Sequence, residues 1–521
     1  MILHGDSLPD EAVVEADVCV VGGGPVGIQL ARRLARRGIR VVVAESGEEG
    51  PFPRAQDLNT GTLSGRWAGE LRDIRIRQLG GTMHVWGGNC RPLDPIDFEA
   101  RPWVPDSGWP IRYTEIAPYM ADAHDALMLD SFDYEVTEPL LVQPPEEAPA
   151  FEEIHFRLSR LVCGETPRHM GEFTGYLHAE MRAAANPRYL VGVTVCQILL
   201  TADRGSIEGL FAMTFQGKAL HLRARAYVLA TGGIETARLL LASREDMACG
   251  VGNRGDSVGR YFMEHPHGLG ALLLVRPDRK KLLESFSPGV IGSNSVVQRR
   301  LRLTDATQRR LQLLNLSFQI VAQRLKPSEQ DIYSEAFARA AEGVEGAESW
   351  LRYYVVFLSE QAPNRESRVT LGEQTDFFGI PQADLCWQVT EQDHHTVAVA
   401  LDLLRRGIFN GDGLHMVPRI APQVEDWVLG WGAHHLGTTR MSLSPRDGVV
   451  DRDCRIHDLS NGFCAGSSIF ATGGMANPLL ASIGFALRLA DHLAMRLRHL
   501  PVPAAEGRLR RPLLYTLREA G

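Results

Sequence analysis

The run Ala16-Asp17-Val18-Cys19-Val20-Val21 reads as a short buried parallel strand. It leads directly into Gly22-Gly23-Gly24-Pro25-Val26-Gly27 and then into a segment where Ile28, Ala31, Leu34 and Ala35 recur at helical spacing. A second apolar run, Val41-Val42-Val43-Ala44, follows at once. The chain therefore opens with a βαβ unit whose first turn is GxGxxG, and a strand before and a helix after lift that match above chance. Each glycine has a reason: Gly22 allows the tight turn, Gly24 lets backbone N–H groups approach a pyrophosphate, and Gly27 lets helix and strand pack closely. Glu45, followed by Ser46, closes the second strand, where a carboxylate can accept both hydroxyls of an adenosine ribose and disfavours a 2′-phosphate. The motif alone leaves FAD and NAD both open.

With 521 residues, the chain has room for two to four folding units. Apolar residues make up 44% and charged residues 23%, enough for a sizeable core and unlike a disordered chain. The net charge of −8 argues against a broad phosphate-binding surface, so nucleic acid is not expected as a partner. Eight cysteines lie scattered without a CxxC pair, which fits a reducing, cytoplasmic setting. No basic leader precedes an apolar stretch, and no run of about 18 apolar residues occurs, so neither export nor a membrane span is expected.

Strand-like runs at Val191 to Leu200, Ile207 to Thr214 and Ala219 to Arg225 lead into Ala226-Tyr227-Val228-Leu229-Ala230-Thr231-Gly232-Gly233 and a helix-like Ile234 to Ser243. Character switches from about Ala271 to Pro422, where helical stretches such as Ser328 to Glu342 alternate with strand-like pieces such as Leu351 to Leu358. Strand, glycine turn and helix return at Gly462 to Ala465, Gly466 to Pro478 and Leu479 to about Leu500. The expected fold class is mixed α/β. A discontinuous dinucleotide-binding domain (1–110, 186–270, 429–500) would be interrupted by a substrate-facing domain (111–185, 271–428) with a mixed or antiparallel sheet and helices, and 501–521 would form a tail.

A second cluster is Arg77-Gln78-Leu79-Gly80-Gly81-Thr82-Met83-His84-Val85-Trp86-Gly87-Gly88-Asn89. Together with the first glycine loop it resembles the glucose-methanol-choline (GMC) oxidoreductases, in particular the branch with pyranose oxidase and sugar dehydrogenases. The resemblance continues through Val228 to Arg238, Val258 to Pro266 and Asn364 to Leu371, and is sharpest at His434-His435-Leu436-Gly437-Thr438-Thr439-Arg440-Met441 and at Ala476-Asn477-Pro478. It implies a Rossmann-like FAD domain of the glutathione-reductase type. FAD would lie against Gly22, Gly24, Pro25, Val26, Gly27, Glu45, Ser46, Gly80, Gly81, Thr82, Trp86, Gly87, Gly88, Asn89, Val195, Ala230, Thr231, Gly232, Gly466, Ser467, Asn477, Pro478 and Leu479.

The same resemblance places His434 as the catalytic histidine and Asn477 at the second catalytic position. His434 would take the hydroxyl proton of an alcohol, hydride would pass to flavin N5, and the Asn477 amide would orient the oxygen. Histidine suits the proton, being neutral near its reference pKa of about 6.5. His435 would point to the other side of an extended backbone and is kept as a supporting candidate. Asn477 before Pro478 also reads as a helix N-cap. The implied substrate is a small polar alcohol, on a sugar, aminosugar or cyclitol, and the implied electron acceptor is oxygen or an unidentified carrier.

The family pattern is departed from at one place. Some relatives carry a covalently attached FAD on the histidine just before the tryptophan of this loop, and here Val85 holds that place with His84 one residue earlier. Noncovalent FAD is therefore expected. Rival readings are a non-oxidising member of the same family, a lyase for example, a flavin-holding partner without turnover, and a nicotinamide-dependent flavoprotein. The last is disfavoured by the lack of a second intact GxGxxG. Gly255-Asp256-Ser257-Val258-Gly259 matches GxSxG but sits in a polar loop rather than after a buried strand. His265-Pro266-His267 and His394-His395 lack a third ligand at recognisable spacing, so no metal is expected.

Overall fold

The computed structural model describes residues 1–66, 69–129, 131–136, 149–159, 178–284, 286, 289–291, 295–323, 334–421, 423, 429–430, 432–500 and 509–512. Part of the expected helix at 328–342 and most of the 501–521 segment lie outside the described residues.

A six-stranded sheet forms the base. Its order is Ile2–His4, Arg188–Val191, Val41–Ala44, Val18–Val21, Ala226–Leu229, Gly462–Cys464, with every neighbouring pair parallel. Val18–Val21, Val41–Ala44 and Ala226–Leu229 are buried at every position, as continuous apolar runs covered on both faces must be. The helix Pro25–Ala35 covers one face through Ile28, Leu30, Ala31 and Leu34. The helix Leu479–Arg496 packs beside it and against Tyr113–Ala126. Four strands, Ala12–Glu15, Ala219–Arg223, Ile207–Thr214 and Val193–Leu200, form a second sheet. The single strand expected at Val191 to Leu200 is two strands that belong to different sheets, separated at Gly192 with φ +67°.

A third, antiparallel sheet runs Leu414–Pro418, His267–Val275, Leu351–Ser359, Leu316–Ala322, Ser295–Leu303, Phe151–Leu158, Asn89–Cys90, with Gly289–Ile291 beside Ser295–Leu303. It has its own core, including Leu273, Leu301, Phe318, Val355, Phe357 and Leu401. Asn89–Cys90, just past the Gly80–Gly88 loop, is its edge strand, so the loop is tied at that end to the antiparallel sheet. Among the described residues no helix is long and apolar enough to cross a membrane.

Candidate active site

The first glycine loop folds as its spacing requires. Gly22 has φ +104°, and a Cβ on Gly27 would lie 2.1 Å from the Gly22 carbonyl oxygen, so strand and helix meet there only without a side chain. A Cβ on Gly24 would meet nothing, because that position opens into a cavity of about 740 Å³. Glu45 is buried, and its two carboxylate oxygens accept N–H bonds from Gly23 and Gly47, each at 2.7 Å. The carboxylate is thereby fixed at the cavity edge with lone pairs left over.

Val21, Gly22, Gly24, Pro25, Val26, Glu45, Ser46, Gly81, Thr82, Trp86, Gly87, Asn89, Val195, Ala230, Thr231, Gly232, Gly466, Ser467, Asn477, Pro478 and Leu479 all border this one cavity, as do His434 and His435. Gly27, Gly80 and Gly88 do not border it. Gly80 instead donates to the Gly23 carbonyl at 2.8 Å and clamps the second loop to the first. Val85 faces the cavity and is 67% exposed, while His84 turns away and bonds the Leu79 carbonyl at 2.9 Å.

His434 ends an unusual backbone turn: Ala433 before it has φ +53°, a left-handed conformation costly for a residue with a Cβ. Its N–H donates to both carboxyl oxygens of Glu264, at 2.9 and 2.8 Å. Its ring is held at both nitrogens, by His265 Nδ1 at 2.9 Å from its Nδ1 and by the Asn477 side-chain nitrogen at 3.2 Å from its Nε2.

The far end of that chain assigns the protons. His265 Nε2 faces two carbonyl oxygens, Gly474 at 2.9 Å and Gly473 at 3.3 Å, and a carbonyl only accepts. His265 therefore carries its proton on Nε2. Burial pushes its pKa down to about 4, so the ring is neutral and its Nδ1 is an acceptor. The His434 proton then sits on Nδ1, and Nε2 carries no proton and accepts from the Asn477 amide at 3.2 Å. Burial, reinforced by His265, His267 and His435, holds His434 well below the usual histidine range, which keeps Nε2 unprotonated.

Asn477 does not cap the C-terminal helix. That helix runs Leu479–Arg496, starting where its sequence places it, and its first bond is accepted by the Pro478 carbonyl from Ser482 N–H at 2.9 Å, one residue later than an Asn477 cap would give. The Asn477 amide is free for His434 instead. Its carbonyl oxygen is buried and has no hydrogen-bond partner among the described residues, an acceptor left for a bound molecule. His435 sits against Gly233, where a Cβ would lie 2.7 Å from the His435 carbonyl, and its ring packs near Phe262.

Sequence reasoning set aside His265 as a loop residue and passed over Glu264 and Arg300. Only contact across the fold reveals the first two, although the segment Met263-Glu264-His265-Pro266 belongs to the quoted resemblance. Ser257 of the GxSxG match is 1% exposed and bonds the Gly255 and Arg446 carbonyls, away from the cavity, so it is no nucleophile. His394 bonds the Ala421 carbonyl on the other side of the third sheet's core. Donor atoms of Glu264, His265 and His434 come within 4.8 Å of one another, and the hydrogen bonds just described account for each.

A long cavity beginning at a GxGxxG turn, open above Gly24 and Gly232 and ending at an orphaned amide oxygen, fits a dinucleotide with a ring system at its far end. Residues 17–244 match the FAD-dependent oxidoreductases. Fold and site define an FAD-dependent oxidoreductase acting on alcohols. Residues 363–486 match the GMC oxidoreductases, the family that the sequence motifs resemble.

Fructose dehydrogenase large subunit from Gluconobacter japonicus is 23% identical, over 92% of this chain and 97% of the relative. Paromamine 6′-oxidase from Streptomyces fradiae is 25% identical over 92% and 91%. The solved structure of a formate oxidase shares the fold with TM-score 0.59 at 17% identity, over 94% of this chain and 99% of the other.

Proposed function

We propose that this protein oxidises a CH–OH group of a small polyhydroxylated substrate to the carbonyl, with His434 as the base. The observation that carries the reading is the unprotonated Nε2 of His434, fixed by the chain through His265 to the Gly474 carbonyl and held beside the cavity by the Asn477 amide. Sugar- and aminosugar-oxidising relatives over nine-tenths of the chain support the substrate class.

FAD, when bound along Gly22 to Gly27, Glu45 and Gly81 to Asn89, supplies the hydride acceptor. The residues of this chain do the rest. A substrate hydroxyl entering between His434 and Asn477 would give its proton to His434 Nε2, while His434 Nδ1 keeps its bond to His265. The Asn477 amide, relieved of its bond to Nε2, would hold the substrate oxygen. The positive end of the helix Leu479–Arg496 sits just behind and favours negative charge gathering in the cavity.

The test is anaerobic. The visible flavin band of the purified protein should bleach when sugars or cyclitols are added, and His434→Ala should keep the flavin and lose the bleaching. Undiminished bleaching in that variant refutes the base, and a band unmoved by every alcohol refutes the oxidation.

A further inference from the structure

Charges around the cavity are nearly all compensated. Glu235 meets Arg75 and Arg77 at 2.7 Å each, and Arg238 reaches Glu235 at 3.2 Å and Asp376 at 2.7 Å. Arg300 differs. It is 5% exposed, borders the same cavity as His434, and among the described residues has no carboxylate partner. Its neighbours on the strand Ser295–Leu303 take the nearby acids: Arg299 pairs with Glu153 at 2.6 Å, Arg302 with Asp94 at 2.9 Å.

What holds Arg300 is neutral. Nε and Nη2 donate to the Gln298 side-chain oxygen at 3.2 and 3.1 Å, Nη2 also donates to the Asn89 side-chain oxygen at 3.2 Å, and the guanidinium carbon lies 3.8 Å over the Phe156 ring. Nη1 has no partner among the described residues. Burial with no counter-charge pushes the pKa down to about 9, yet a guanidinium remains charged at neutral pH. A buried cation held in one orientation by neutral groups, with one nitrogen free, is incomplete until an anion arrives.

We infer that Arg300 is a substrate-binding residue and that the alcohol oxidised here carries a carboxylate, as a sugar acid does. The inference rests on the alcohol-oxidation reading above for its chemistry, though not for the anion site. The pairing of Leu301 with Phe318 sets Arg300 beside Gln319, which with Val356 also borders the cavity. The antiparallel sheet thus offers a wall with one charge and two amides, Gln319 and Asn89, and the flavin-side domain offers the base. A monoanionic carboxylate balances the single charge, whereas a phosphate dianion would leave a net charge buried. An ammonium group in that place would be repelled, so an aminosugar bearing it there is disfavoured.

The experiment uses the purified holoenzyme and matched probes. Anaerobic bleaching is followed with D-gluconate, its neutral amide D-gluconamide, D-glucose, D-glucosamine and D-glucose 6-phosphate, and the flavin spectrum is titrated with butanoate, a monoanion with no hydroxyl to oxidise. Gluconate should exceed gluconamide by about 10- to 100-fold in kcat/KM, the worth of one charge-assisted hydrogen bond. Butanoate should perturb the flavin band and compete. Arg300→Gln should abolish both effects with flavin content kept, and Arg300→Lys should restore part of them.

Equal use of gluconate and gluconamide overturns the inference, as does preference for glucosamine or for the phosphate ester. A butanoate perturbation of the flavin band that is unchanged in Arg300→Gln also overturns it. If no alcohol bleaches the flavin but butanoate binds in an Arg300-dependent way, the anion site stands and the oxidation reading falls. Should Arg300→Gln not fold, the gluconate and gluconamide pair on the unaltered enzyme decides.

Discussion

The Nδ1 atoms of His265 and His434 lie 2.9 Å apart, and only one of them carries a proton. Because the single ring proton of His265 sits on Nε2 and is donated to the Gly474 carbonyl, the bond runs from His434 to His265. A residue outside the reaction thus sets which face of the base is free.

That arrangement predicts a kcat effect without a KM effect. His265→Leu removes the acceptor, lets the His434 proton move to Nε2, and should lower kcat by about 10²-fold, the low end of what a positioned base contributes. His265→Gln, whose amide oxygen can accept from Nδ1, should recover part of it. Equal loss in both variants, or a loss confined to KM, would show that His265 only fills space.

Replacing His434 itself should cost more. His434→Ala should reduce kcat by about 10²- to 10⁴-fold with flavin still bound, as read by stopped-flow flavin bleaching. The Glu264 contact made by the His434 backbone survives in that variant, so the local turn should persist.

Asn477→Asp tests the opposite side of the ring. A carboxylate 3.2 Å from Nε2 in place of the amide would favour imidazolium and raise the His434 pKa. The acid limb of the kcat/KM profile should move to higher pH by about 1 to 3 units, leaving less free base at neutral pH. A limb that stays in place would separate Asn477 from the titrating group.

Noncovalent flavin follows from Val85, which occupies the cavity-facing position, and from His84, which is turned to the Leu79 carbonyl. Acid precipitation should release the yellow colour into the supernatant. A precipitate that stays yellow would place the bond elsewhere.

Much of the flavin side is readable from the chain because its constraints are local. Gly22, Gly24 and Gly27 must be glycine for reasons confined to one turn, and Glu45 follows one strand later. The strand Val41–Ala44 falls at the boundaries expected from its apolar run. His434 and Asn477 were legible only through a family resemblance, since nothing local marks either. His265, Glu264 and Arg300 were not legible as functional: a relay across 169 residues of sequence and an arginine defined by its lack of an acid are both facts about distant neighbours. The capping role also read for Asn477 rests on the local Asn-Pro pattern before a helix. The tertiary contact with His434 overrides it.

Glu264 links the site to stability. Its carboxyl is fully buried, and burial, only partly offset by the N–H bonds of His265 and His434, pushes its pKa up to about 8 from an ordinary 4.5. A group whose folded pKa is raised binds its proton more tightly when folded, so its protonated form favours the fold and ionisation opposes it. Stability should therefore fall as pH rises from about 4.5 to about 8, the window between the two values. His265, lowered to about 4 from 6.5, acts the opposite way below pH 6.5. Between about 6.5 and 8 the Glu264 slope should stand clear of it, joined by Asp97 and Asp393, each raised to about 7. Glu264→Gln keeps an oxygen for the two N–H donors and cannot ionise. Its melting temperature should decline less than that of the unaltered protein between pH 6.5 and 8, as measured by scanning calorimetry at matched flavin occupancy. Parallel curves for the two proteins would mean that Glu264 is already ionised in the fold and that the charge on His434 is balanced from the start.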